Sequence, residues 1–176
     1  MFAKAKKVLD KILELLVTVS MGVLVVDVVW QVLTRYAFKN PSSWTEELAT
    51  FLMIWVGLLG ASVALNRGVH LGIDYLVVKL SRQKALCVSL FVFAVITAFS
   101  LLVMGVGGSQ LVYRTLATSQ VSPALGLKMG YVYLAIPISG FFLVIYSLEL
   151  FINTFVALIK HRQTEVPHLF KSGTLD

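Results

Sequence analysis

Read from its amino terminus, the chain repeats one pattern: a long apolar run closed by a short polar segment. The runs are centred near residues 23, 56, 98 and 141, and each exceeds the roughly 20 residues that carry a helix across a hydrocarbon core about 30 Å thick. Lipid offers no water to satisfy peptide groups, so each run is expected to be helical. The expected spans are about residues 8–34, 44–66, 85–113 and 129–159, with a polar tail at 160–176. Between Gly68 and Lys84 the chain mixes apolar and polar residues over a length too short to cross twice. This segment is expected to form a short interfacial helix on the cytoplasmic side, after a glycine cap at Gly68.

The third run, Ala85 to Tyr113, holds 29 uncharged residues and as a helix would measure about 43 Å, so it must tilt or project from the bilayer. In the fourth, Pro137 removes the usual donor to the carbonyl of Tyr133 and should bend the helix. The connection TLATSQVSPALGLKMG carries proline and glycine turn signals.

Composition turns these elements into a class. With 58 % hydrophobic and 14 % charged residues and a mean hydropathy of +0.86, the chain cannot hide its apolar surface in one soluble domain. The fold class is an all-α integral membrane protein with four long transmembrane helices. The first run is too long for a secretory signal, contains Asp27, and ends in RYAFKN without a small-residue cleavage site. The single cysteine, Cys87, excludes an internal disulfide and argues against a four-span disulfide oxidase.

The net charge of +6 reflects orientation rather than a nucleic-acid partner. Eleven of the 15 lysines and arginines lie in the N-terminal arm, the middle loop and the tail; Arg35, Lys39, Arg114 and Lys128 occupy the other two loops. By the positive-inside rule both termini are expected in the cytoplasm.

Candidate chemistry is sparse. In NPSSWTEELATFLMIWVGLLGA, Ser43 followed by Glu46 fits a capping box, and both Glu46 and Glu47 would sit at the positive end of the helix dipole. Trp44 suits the headgroup level. Glu47 exceeds what one capping box requires. Asp27, Gln31 and Arg35 recur at i, i+4 and i+8 and share a helix face. A carboxylate at that depth should face protein or a water-filled crevice. It could be a proton or ion site, or it could hydrogen-bond to a partner helix; the second reading is favoured because no matched acid is apparent. Glu149 is read as the only other acid in a span, within reach of the cytoplasmic interface from its place 11 residues before Lys160.

Gly57, Gly60, Ala61 and Ala64 on the second helix, and Gly105, Gly108 and Ser109 on the third, offer close-packing faces, with packing inside the chain the simpler expectation. His70, His161 and His168 lie outside the spans, which argues against haem ligation. No nucleotide loop, nucleophile motif or metal-ligand spacing is present. Neither enzyme activity, cofactor nor metal is expected.

The run RYAFKNPSSWTEELATFLMIWVGLLGASVALNRGVHLGIDYL, above all Arg35 to Asp74, resembles the small membrane subunit of tripartite ATP-independent periplasmic (TRAP) transporters. The resemblance implies a chain with no transport site of its own in a bacterial or archaeal cytoplasmic membrane. A large multispan partner would hold the substrate and sodium sites and move as an elevator. The small subunit would enlarge the stationary scaffold, among membrane lipids, while a periplasmic binding protein delivers substrate. Carried over by position, Arg35, Tyr36, Trp44, Glu46 and Glu47 belong to the external signature, and Arg67, Gly68, His70 and Asp74 to the internal one. Arg35, Lys39, Glu46 and Glu47 could lock the first two helices together or present a polar rim to the soluble partner. Two other readings stand beside this one: a homodimeric proton-coupled exporter using Asp27, and a structural subunit of another membrane complex.

Overall fold

The computed structural model describes residues 2–40, 42–67 and 82–170. The expected interfacial helix, with Gly68, His70 and Asp74, lies mostly outside them; Gln83 and Lys84 already belong to the third span. The helices are α1 (Phe2–Tyr36), α2 (Ser43–Asn66), α3 (Arg82–Phe99), a π-helical stretch π1 (Ser100–Gly107), α4 (Gly108–Ala117), α5 (Met129–Tyr133) and α6 (Ala135–Phe170). Among the described residues four stretches are long and apolar enough to cross a membrane: Lys6–Tyr36, Ser43–Asn66, Gln83–Ala117 and Met129–Lys160. The third joins α3, π1 and α4, and the fourth joins α5 and α6.

Among the described residues the spans pack in the order first, second, fourth, third. The first and third spans have no close backbone approach, nor have the second and third. By backbone approach the spans form a row rather than a closed bundle, with the first span also meeting the fourth through side chains at the end that carries Lys6. No more than 22 % of the most apolar stretch of any span is buried within the chain, so most apolar side chains face lipid or another protein.

Two kinds of contact hold the row together. The first span meets the second along Leu13, Val17, Ser20, Leu24, Asp27, Gln31 and Thr34, all buried or half-buried at alternating steps of four and three. That 3.5-residue period is the seam of a left-handed helix pair. Toward one end, Leu13, Leu59, Leu65, Phe142 and Tyr146 form an apolar cluster, against which Phe93 and Ile96 of the third span pack. In lipid, burial alone does not drive helices together, so close packing and interhelical hydrogen bonds carry more of the association. The Ser139 hydroxyl donates to the carbonyl of Leu58 at 2.6 Å and lies 3.1 Å from the Ser62 hydroxyl. The hydroxyls of Thr97 and Ser147 are 2.8 Å apart and link the third span to the fourth.

The fourth span breaks where Pro137 predicts. A turn at Leu134 separates α5 from α6, and the chain resumes through Ile138 N–H donating to Leu134 O at 3.2 Å. The small-residue faces behave unequally. Gly108 is a genuine close approach: a Cβ there would meet Ile136 Cγ2 at 2.8 Å. Gly140, not singled out by spacing, meets the third span still more tightly, with Met104 Cβ only 2.7 Å from its would-be Cβ. Ser109 is exposed and donates to Gly105 O of the same span, across the junction of π1 and α4. The expected intrachain face on α2 is not used for packing. A Cβ on Gly57 or Gly60 would meet nothing within 4 Å, and Ala61 and Ala64 are exposed. The reason is rotation: α2 buries Thr45, Phe51, Leu59, Ser62 and Leu65 instead.

Candidate functional site: the loop end and the Asp27 cleft

At one end of the row, α1 stops in a tight turn. Lys39 takes a positive φ of 51°, and the N–H groups of Phe38 and Asn40 reach back to Leu33 O and Thr34 O at 3.2 and 3.1 Å. The next helix begins without the expected capping box. Ser42, extended at φ −93° and ψ 116°, holds the cap position and makes no side-chain capping bond. Ser43 is already helical, so its hydroxyl is not placed to reach back to the third residue of the helix. Thr45 instead donates to Ser42 O at 2.8 Å, and Glu46 is exposed.

Glu47 has a different task. One carboxylate oxygen accepts N–H bonds from Ala124 at 3.1 Å and Leu125 at 2.7 Å, fastening the loop that joins the third and fourth spans onto α2. The loop is itself ordered: Val121 and Lys128 pair antiparallel, Ser122 N–H donates to Leu127 O at 2.8 Å, and Gly126 closes the turn at φ 64°. Ser43, Glu46, Glu47, Thr50, Pro123 and Ala124 line an open polar groove of about 490 Å³. The rim charges do not lock the first two helices: among the described residues Arg35, Lys39 and Glu46 form no ion pair. Arg35 and Tyr36 are exposed, because the seam turns from Gln31 to Thr34 and leaves Arg35 beside it.

Asp27 lies on that seam, 5 % exposed. Among the described residues its Oδ2 has no hydrogen-bond partner. With Val23, Val26, Trp30, Trp44 and Leu48 it lines an otherwise apolar cleft of about 430 Å³ between the first two helices. The stripe expected from spacing therefore divides: Asp27 is buried, Gln31 half-buried and Arg35 exposed.

The opposite end holds the contacts that spacing did not reveal. Glu149 pairs with Lys6, Tyr146 donates its hydroxyl to Asp10 at 2.6 Å, and Arg67 forks onto Glu14 Oε1 at 2.9 and 3.2 Å. Glu149 is thus not the only other acid within a span, since Asp10 and Glu14 lie on α1. They are at its charged end, where a partner is close at hand. Arg67, placed by resemblance in the internal signature, ties the end of α2 to α1.

A row of apolar helices, pinned by polar contacts at both ends and open along its faces, defines a multi-span membrane subunit. The chain belongs to the family described as tripartite ATP-independent periplasmic transporters, DctQ component, whose pattern matches residues 24–157; it is a small TRAP transporter subunit. It is 27 % identical over 156 residues to the sialic acid TRAP transporter small permease protein SiaQ of Vibrio cholerae, covering 88 % of this chain and 87 % of that one. It is 32 % identical over 127 residues to the C4-dicarboxylate TRAP transporter small permease protein DctQ of Rhodobacter capsulatus, covering 71 % of this chain and 52 % of the relative. A stretch of 46 residues is 48 % identical to part of the sialic acid TRAP transporter permease protein SiaT of Haemophilus influenzae, covering 26 % of this chain and 8 % of that permease.

Proposed function

We propose that this chain is the stationary scaffold subunit of a sodium-driven TRAP transporter that imports a carboxylate-bearing organic anion, a dicarboxylate or a sugar acid. The observation that carries the scaffold reading is the open row. A row of helices has two faces and no enclosed lumen, so it suits bracing a larger neighbour better than housing an alternating-access pathway of its own. The exposed small-residue face at Gly57, Ala61 and Ala64 allows close backbone approach by that neighbour. The SiaT match supports the partnership, since a sequence of this kind occurs inside a permease of which it is only 8 %. Substrate class follows the relatives, named for sialic acid and C4-dicarboxylates.

In this reading the end bearing Glu47 and its loop is periplasmic, and the groove beside Glu46 belongs to the surface met by the soluble binding protein. Arg35, Trp44 and Glu46 contribute to that rim, while Arg67 braces the cytoplasmic end. The test is reconstitution in proteoliposomes with the large permease and the binding protein. Substrate uptake is expected under an inward sodium gradient and only with all three components. Substrate or proton flux through this chain alone overturns the reading and favours the exporter built on Asp27.

A further inference from the structure

Asp27 combines two facts that rarely coexist: it is 5 % exposed, and Oδ2 has no partner among the described residues. A carboxylate held that way at membrane depth is costly unless something supplies a donor. Among the described residues its cleft is lined by α1 and α2 alone. The cleft's remaining polar character comes from two indoles, Trp30 and Trp44, 47 % and 44 % exposed. A carboxylate beside aromatic rings is the chemistry that receives a cation, through ion pairing together with the negative faces of the rings.

Depth selects the source of that cation. Asp27 lies nine residues before the end of α1 at Tyr36, about 13 Å along the axis. A lipid ammonium would have to leave the headgroup layer to reach it, whereas a side chain borne on a neighbouring helix would not. We propose that the Asp27 cleft receives an arginine or lysine side chain from a transmembrane helix of the large permease, paired with the carboxylate beside Trp30, with Trp44 at the mouth of the cleft. This rests on the scaffold reading and names the contact that registers the two subunits.

The proposal separates two stabilities that a role inside this chain would move together. In the isolated chain Asp27 has no partner, so Asp27→Leu and Asp27→Asn should leave thermal stability in detergent unchanged or raise it. Co-expressed with the large permease, the same variants should lower the amount that co-purifies by at least about tenfold, as expected when one member of a buried ion pair is removed. A photo-reactive phenylalanine analogue at Val23 or Val26 should form an adduct with the large permease. Asp27→Lys should abolish co-purification, and reversing one membrane-embedded basic residue of the permease to Glu should restore it. The proposal is overturned if the variants destabilise the isolated chain, if they co-purify at the wild-type level, if adducts form only with lipid or a second copy of this chain, or if no reversal rescues. When the wild-type pair co-purifies and the variants match it, the cleft proposal fails and the scaffold reading stands. When the wild-type chain never associates with the permease, the scaffold reading itself fails.

Discussion

A single carboxylate oxygen on Glu47 fixes the loop between the third and fourth spans, because two successive N–H groups converge on it. Glu47→Ala leaves both donors to water and should loosen the loop by about 1–2 kcal/mol. Hydrogen exchange at residues 120–128 should then rise roughly tenfold, since 1.4 kcal/mol is a factor of ten. Glu47→Gln keeps an acceptor oxygen and should fall between. Unchanged exchange in the alanine variant would mean that the loop's own pairing, Val121 with Lys128, is enough. Glu46, the residue before it, is exposed and does not share the loop N–H groups held by Glu47, so Glu46→Gln should leave exchange in the loop alone and alter only what binds the groove. Adjacent in sequence, the two acids have separate consequences.

For the helices, the question is which small residues are needed by this chain. Gly140 faces the π-helical stretch of the third span, with Met104 Cβ and Ser100 O within 3.2 Å of a would-be Cβ. Gly140→Leu must push the third and fourth spans apart and should cost the isolated chain about 1–3 kcal/mol or more. Gly57→Leu adds its side chain to open space and should stay within about 0.5 kcal/mol, as surface substitutions do. Thermal unfolding of the two variants in the same detergent decides the matter, and equal losses would contradict the packing described. If Gly57 faces the large permease, the ranking should reverse in part on assembly: Gly57→Leu should then reduce co-purification despite normal stability. The π-helical stretch lies where Gly140 of the fourth span approaches Met104 and Ser100 of the third.

For the whole molecule, orientation is the open variable, and the asymmetry of 15 basic residues predicts it. After Cys87 is replaced, cysteines at Asn40 and Gln120, both exposed at the loop end, should react with an impermeant maleimide in intact cells. A cysteine at Ser172 should react only after permeabilisation. Ser122 is a poor reporter despite its place in the same loop, because it is 2 % exposed. The reverse labelling pattern would put the Glu47 groove in the cytoplasm, away from any periplasmic binding protein.

The sequence by itself determined the spans, the break at Pro137 and the family, because each rests on local information: hydropathy over one segment, a missing N–H, or a run of residues in fixed order. The expected capping box shows the limit even locally, since a shift of one residue, from Ser43 to Ser42, changes which hydroxyl faces the first turn. The tertiary structure alone decided which side chains meet. Glu47 finds donors 77 and 78 residues away, and Glu14 finds Arg67 at a separation of 53. Spacing cannot foresee such pairs, because a helical period says which residues share a face and not what that face will touch. The same holds for small residues: glycine permits a close approach at Gly57 and Gly140 alike, but only the order of the row brings a neighbour to Gly140. Asp27 joins both kinds of information. Its place in an apolar span was legible from composition, whereas its solitude on the seam follows from an open row that brings no other span of this chain to its cleft.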